Sequence, residues 1–160
     1  MPTAVEWLAR PFSWIGRWLG LLAIGVALVL LLAAKRRTWD ALWVGVTIAG
    51  VHIAVTPFLK ESFDRPRPTA GGAIPLPSSD AFPSGHAASA AATFGLLAVL
   101  ASERRPKRTR LIWITALLLA LGIGASRVVL GVHWASDVVA GWCFGIAWLA
   151  AALLVRDATR

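Results

Sequence analysis

The 160-residue chain is 58% apolar and only 15% charged, with a formal net charge of +8 and a mean hydropathy of +0.69. A soluble domain carries about 25% charged residues, so the composition excludes an ordinary soluble globule, a disordered segment and a collagen-like repeat. The single cysteine, Cys143, excludes an internal disulfide and a multi-cysteine metal site, and is read as a packing residue. Nine tryptophans and no tyrosine fit a membrane protein, in which indole rings gather at the bilayer interface.

Residues 4–18 come first. On a helix, Trp7, Trp14 and Trp18 share one stripe, while Arg10 and Arg17 share another near Glu6. That pattern predicts an interfacial amphipathic helix. Glu6, Arg10, Pro11 and Arg17 also break the apolar run that a cleavable signal peptide needs, so the stretch is expected to stay on the chain. Five candidate spans follow, at about 18–34, 39–59, 86–102, 111–125 and 134–155. About 20 helical residues cross a hydrocarbon core, so the shorter ones need flanking residues or tilt. The span at 86–102 is alanine-rich and less greasy. His52, alone within the second span, is read as facing the bundle. No strand alternation and no repeat appears. The expected fold is an all-α integral-membrane bundle of about five transmembrane helices plus the amphipathic helix, in a single domain over 1–160.

The basic residues divide between the two ends of this bundle. Ten sit in the first loop (Lys35, Arg36, Arg37), the third loop (Arg104, Arg105, Lys107, Arg108, Arg110) and the C-terminal tail (Arg156, Arg160). With five spans these regions share one face, and short basic loops stay in the cytoplasm. Topology thus accounts for them without a nucleic-acid partner. The remaining six, Arg10, Arg17, Lys60, Arg65, Arg67 and Arg127, lie on the face that should be poor in cations. The four from Lys60 onward call for a separate reason.

That face also carries the chemistry. Three stretches, KESFDRPRP, PSGH and SRVVLGVHWASD, converge there, the first two joined by a long loop rich in Pro, Gly and Ser. Arginine offers a rigid fork that can grip two phosphate oxygens. Ser84, Gly85 and His86 stand where a span begins, so their amides are free to bind an anion at a helix N-terminus. His133 and Asp137 are i, i+4 on one helix, a spacing at which a carboxylate can orient an imidazole and leave its other nitrogen nucleophilic. His86 arrives from another helix as a candidate general acid. Together these are the parts for phosphoryl transfer.

The three stretches resemble the type 2 phosphatidic acid phosphatase (PAP2) superfamily, whose pattern is K-x6-R-P, then P-S-G-H, then S-R-x5-H-x3-D. Here six residues separate Lys60 from Arg67-Pro68, Pro83-Ser84-Gly85-His86 follows, and five residues separate Ser126-Arg127 from His133 and three more separate His133 from Asp137. The resemblance covers about Trp39 to the end of the last span. It implies that His133 attacks phosphorus, Asp137 orients it, and His86 protonates the leaving oxygen. It also implies that Lys60, Arg67, Arg127, Ser84 and Gly85 bind phosphate, with no metal or other cofactor. Arg65 lies outside the motif and is read as a further phosphate ligand. Many integral-membrane members resemble six-span bundles with three spans before the first motif; here about two spans and the amphipathic stretch precede it.

The function expected is a lipid-phosphate phosphatase of the plasma or inner membrane, opening to the non-cytoplasmic side. Candidate substrates are a polyprenyl diphosphate or other polyprenyl-linked phosphate, phosphatidic acid and phosphatidylglycerophosphate. A non-catalytic phosphate transporter component would need the cations but not His86, His133 and Asp137 together. A metal site built from those three would sit beside Lys60, Arg67 and Arg127, which is electrostatically unfavourable.

Overall fold

The structure is a computed structural model describing residues 3–54, 59–68 and 76–159. Among the described residues six α-helices run in chain order: α1 (Ala4–Ile15), α2 (Trp18–Ala34), α3 (Thr38–Ile53), α4 (Gly85–Arg104), α5 (Thr109–Val129) and α6 (Ala135–Ala158). Short 3-10 turns at Lys60–Ser62 and Pro106–Arg108 separate them. No strand occurs among the described residues, and the all-α membrane bundle expected from the sequence is present. Spans 18–34, 86–102, 111–125 and 134–155 fall on α2, α4, α5 and α6. The span at 39–59 is α3 as far as Ile53; residues 55–58 lie outside the described residues. Four stretches, 4–34, 85–104, 106–129 and 135–158, are long and apolar enough to cross a bilayer, α1 and α2 together making the first.

The amphipathic stretch starts on a capping box. The Thr3 hydroxyl accepts from the Glu6 amide, and the Glu6 carboxylate accepts from the Thr3 amide at 2.7 Å. α1 buries Ala9 and Ser13 and leaves Trp7 and Trp14 exposed, and it packs on α5 with Phe12 against Gly122.

α4 occupies the centre, in contact with α2, α3, α5 and α6. In its most apolar 18-residue stretch 61% of residues are buried, against 22–28% in the other candidate spans. Its composition explains this, because alanine lets neighbouring backbones approach closely. On α6, Gly141 and Gly145 complete the contact: a Cβ at Gly141 would stand 2.6 Å from the Ser84 carbonyl, and one at Gly145 would run into that of Ala88. The N-termini of α4 and α6 are therefore pressed together at one end of the bundle.

The tryptophans depart from the interfacial expectation in part. Trp43, Trp142 and Trp148 lie within the bundle. Their indole N–H groups donate to the carbonyls of Ala152 (2.8 Å), Ala120 (3.1 Å) and Thr47 (2.9 Å), tying α3 to α6 and α6 to α5. An indole buried in apolar surroundings needs such an acceptor. Arg156 departs as well. It is the penultimate arginine, yet it lies within α6, 2% exposed, and donates to both carboxylate oxygens of Glu103 at 2.6 and 3.0 Å. It approaches Asp40, 3.4 Å away, and stacks over the Trp43 ring. Arg37 closes the network on Asp40 at 2.6 Å. This ion cluster joins α3, α4 and α6 at the end opposite the motif residues.

Candidate active site

The site is assembled at two helix starts and the turn before one of them. Ser84 caps α4: its hydroxyl accepts from the Ala87 amide, its carbonyl from the Ala88 amide, and its own amide donates to the Asp137 carbonyl at 3.0 Å. The first-turn amides of Gly85 and His86 make no hydrogen bond among the described residues, and both residues line a cavity. After α5, Gly131 adopts a positive φ of 68° that a side chain would resist. The chain turns there, and the amides of Val132 and His133 bond back to the Arg127 carbonyl. His133 is thereby tied to Arg127 before α6 begins.

The cavity encloses about 390 Å³. Lys60, Arg67, His86, Arg127 and His133 line it together with Gly85, and among the described residues no Asp or Glu side chain does. Ser84 and Asp137, both fully buried, stand behind this wall. Arg67 is held from three sides, donating to the carbonyls of Ser79 (2.9 Å), Val132 (2.7 Å) and Asp80 (3.1 Å). Lys60 donates to the Asp80 carbonyl as well. Burial, reinforced by Arg67 and Arg127 and opposed by Asp80 and Asp137, brings the Lys60 ammonium down to a pKa of about 8.

The Arg67–His133 contact settles a proton. Arg67 Nη1 lies 3.1 Å from His133 Nε2. A guanidinium has only donors, so Nε2 is the acceptor and the imidazole is the neutral Nδ1–H form. Nδ1 faces Asp137 Oδ2 at 3.4 Å, longer than a good hydrogen bond. Burial, then Arg67, Lys60 and Arg127, holds the pKa of His133 far below its ordinary value, which keeps this neutral form in place. The second function of Oδ2 is to accept from the Trp134 amide at 2.9 Å.

Arg65 does not line the cavity. Its guanidinium donates to Asp137 Oδ1 at 2.7 Å and to the Ser136 hydroxyl at 2.9 Å, on the far side of the carboxylate from His133. The structure also brings in residues that the motifs do not contain. Ser13 of α1 accepts a short hydrogen bond from Arg127 Nη1. His52 faces the bundle interior, as expected, and there reaches the cavity wall with Nδ1 3.2 Å from the Ser89 hydroxyl. Among the described residues, no three His, Cys, Asp or Glu side chains gather as a metal-binding group.

A membrane-embedded helical bundle with a cation-lined, histidine-bearing cleft at one end is the class that fold and site define. The model of the PAP2 superfamily matches residues 40–160, and the chain belongs to that family. It is 34% identical over 114 residues to phosphatidylglycerophosphatase B of Bacillus subtilis, covering 69% of this chain and 55% of that protein. It is 34% identical over 140 residues to decaprenylphosphoryl-5-phosphoribose phosphatase of Mycolicibacterium smegmatis, covering 83% of this chain and 69% of that one. The crystal structure of a transmembrane PAP2-type phosphatidylglycerolphosphate phosphatase from Bacillus subtilis superposes with a TM-score of 0.74 at 26% identity, over 97% of this chain and 85% of that chain. The chain thus spans little more than half the length of the first relative in the sequence alignment.

Proposed function

We propose that the chain is a phosphatase acting on a lipid phosphate or diphosphate through a phosphohistidine on His133. The observation that carries this reading is the position of His133 Nε2, 3.1 Å from Arg67 Nη1, at a small cavity whose charged lining among the described residues is entirely cationic. Family membership and the activities for which the relatives are named support the substrate class.

In this mechanism Lys60, Arg67, Arg127 and the amides of Gly85 and His86 hold the phosphate oxygens, with Ser84 fixing that turn. His133 Nε2 attacks phosphorus, and the bond from phosphorus to the lipid oxygen breaks with its electron pair leaving on that oxygen. His86, which takes up a proton when the substrate dianion offsets the surrounding cations, gives that proton to the oxygen and is left neutral. The Asp137 carboxylate faces Nδ1–H and stabilises the cationic phosphoimidazole, the proton staying on Nδ1. In the second half His86 removes a proton from water, the oxygen attacks phosphorus, and the P–N bond breaks to restore neutral His133. The cations neutralise charge that grows on the equatorial oxygens, the term that dominates such transfers. Arg65, through Asp137, is assigned to orientation rather than to phosphate.

Phosphate release from a panel of lipid phosphates by the purified protein tests this reading. Release should persist in EDTA, be inhibited competitively by vanadate, and pass through a labelled, acid-labile intermediate that His133→Ala cannot form. Tight phosphate binding without any release would favour the transporter reading instead.

The site is assigned to the non-cytoplasmic side of the cell membrane, because the basic loops at 35–37 and 104–110 mark the opposite end as cytoplasmic. In a Cys143→Ser background, an impermeant thiol reagent should label Ser78→Cys in intact cells and Lys107→Cys only after lysis. The reverse pattern would invert the topology.

A further inference from the structure

A second cavity, of about 820 Å³, lies between α1 and the bundle. It shares two lining residues with the phosphate cavity, His86 and Arg127. We propose that this groove receives the leaving half of the substrate, and that Arg10 and Arg17 select lipids whose leaving half carries a phosphate of its own. The inference rests on the phosphatase reading above and extends it to substrate choice.

The direction follows from the reaction. In-line displacement puts the leaving oxygen on the side of phosphorus away from the attacking nitrogen. The proton donor to that oxygen, His86, stands at the boundary between the two cavities. Whatever is attached to the leaving oxygen therefore continues past His86 into the groove beneath α1.

The groove has the chemistry of an anionic amphiphile. Trp14 and Leu19 present apolar surface, and both are largely exposed within it. Arg10 and Arg17 line it with Arg127, and among the described residues no Asp or Glu side chain does. The Nε groups of Arg10 and Arg127 are buried without a hydrogen-bond partner among the described residues. A buried, unpartnered donor is costly, and an anion in the groove would offset the charge of both guanidinium groups. The Arg10 guanidinium is already placed, 4.8 Å over the Trp7 ring. The wall itself is fixed by the Thr3–Glu6 capping box, by Phe12 on Gly122 and by the Ser13–Arg127 hydrogen bond.

A neutral diacylglycerol leaving half would leave these cations unanswered. A lipid diphosphate would not. His133 attacks its terminal phosphorus, the P–O–P bridge breaks, the electron pair and the His86 proton go to the bridging oxygen, and a lipid monophosphate departs between Arg10 and Arg17.

A matched pair of substrates isolates the effect: dioctanoyl phosphatidic acid and dioctanoylglycerol diphosphate, with identical chains, in the same mixed micelles. The full-length wild type should show the higher kcat/KM on the diphosphate. In Arg10→Gln/Arg17→Gln the ratio of the two kcat/KM values should fall about tenfold, the scale of a charge-assisted hydrogen bond. Inhibition by vanadate, which fills only the smaller cavity, should keep its wild-type strength and so report an intact site. Equal loss on both substrates, no loss on either, or a wild type that prefers phosphatidic acid would each overturn the proposal. A wild type that releases phosphate from neither lipid would instead defeat the phosphatase reading on which it rests.

Discussion

The two ends of the bundle each bury arginine, and they treat it in opposite ways. At the end bearing the basic loops, Arg156 is 2% exposed but embraced by Glu103 and Asp40, with Arg37 completing the cluster. At the motif end, Arg127 is 4% exposed and Lys60 7%, and they converge with Arg67 on a cavity that no carboxylate of the described residues lines. The carboxylate nearby, Asp137, is already taken by Arg65 and the Trp134 amide. A charge buried with its partner holds helices together. Cations buried against one another store repulsion that an incoming anion relieves. The difference teaches which arginines are structural and which await a ligand, although composition alone treats them alike.

Substitutions can break the comparison at its sharpest point first. His133→Ala should lower kcat by about 10³-fold or more while leaving thermal stability nearly unchanged, the usual scale for removing a positioned reacting group. A variant with near-normal turnover would end the covalent mechanism. Arg127→Met and Arg156→Met should then give mirror images. Loss of Arg127 should remove most activity without lowering Tm, because it relieves repulsion. Loss of Arg156 should lower stability by about 1–3 kcal/mol and spare kcat, because it strands Glu103 and Asp40. Thermal melts in detergent paired with turnover would read both, and equal effects at the two ends would erase the distinction.

Smaller changes sharpen it. Arg67→Lys keeps the charge and loses the fork that meets three carbonyls, so kcat/KM should drop about tenfold or more. Arg65→Lys should be milder and should fall on kcat, with vanadate inhibition unaltered, since Arg65 touches Asp137 and not the cavity. The last effect is one of pH. Lys60 is a cation below about 8 and loses its charge above it. The kcat/KM profile should therefore decline above pH 8, and Lys60→Arg should carry the decline to higher pH. In kcat the limb should weaken, because bound phosphate favours the charged amine.

Motif spacing was enough to bring Lys60, Arg67, His86, Arg127 and His133 to one cavity, because each residue sits near a helix end or in the connection leading to one, Arg127 in the last turn of α5. Apolar run lengths placed α2, α4, α5 and α6. What escaped was decided by long-range packing. Ser13 meets Arg127 across 114 positions, and a serine on an amphipathic helix carries no mark of that. Arg65 sits two residues from a motif arginine and has the same chemistry, yet the turn at Asp64, with a φ of 40°, directs it to the other side of Asp137. Arg156 reads as a tail cation until α3 and α4 supply its carboxylates. Trp43, Trp142 and Trp148 read as interfacial because composition cannot see the backbone carbonyls of a neighbouring helix. For His52 the sequence held one signal, an ionisable side chain inside an apolar span.

The alanine-rich make-up of α4 bears on how the protein is made. It is the least apolar of the candidate spans, and it emerges from the ribosome before α5 and α6, the helices that cover it. An isolated α4 has little to gain from the bilayer, since alanine contributes far less to insertion than leucine or phenylalanine. Its neighbours supply the missing stabilisation through close backbone contact. Biogenesis should therefore stall with α4 parked beside the insertion machinery until α6 arrives and docks Gly141 and Gly145 against it. Truncation after α5 should leave α4 outside the bilayer and open to protease or to glycosylation tags, whereas the complete chain protects it.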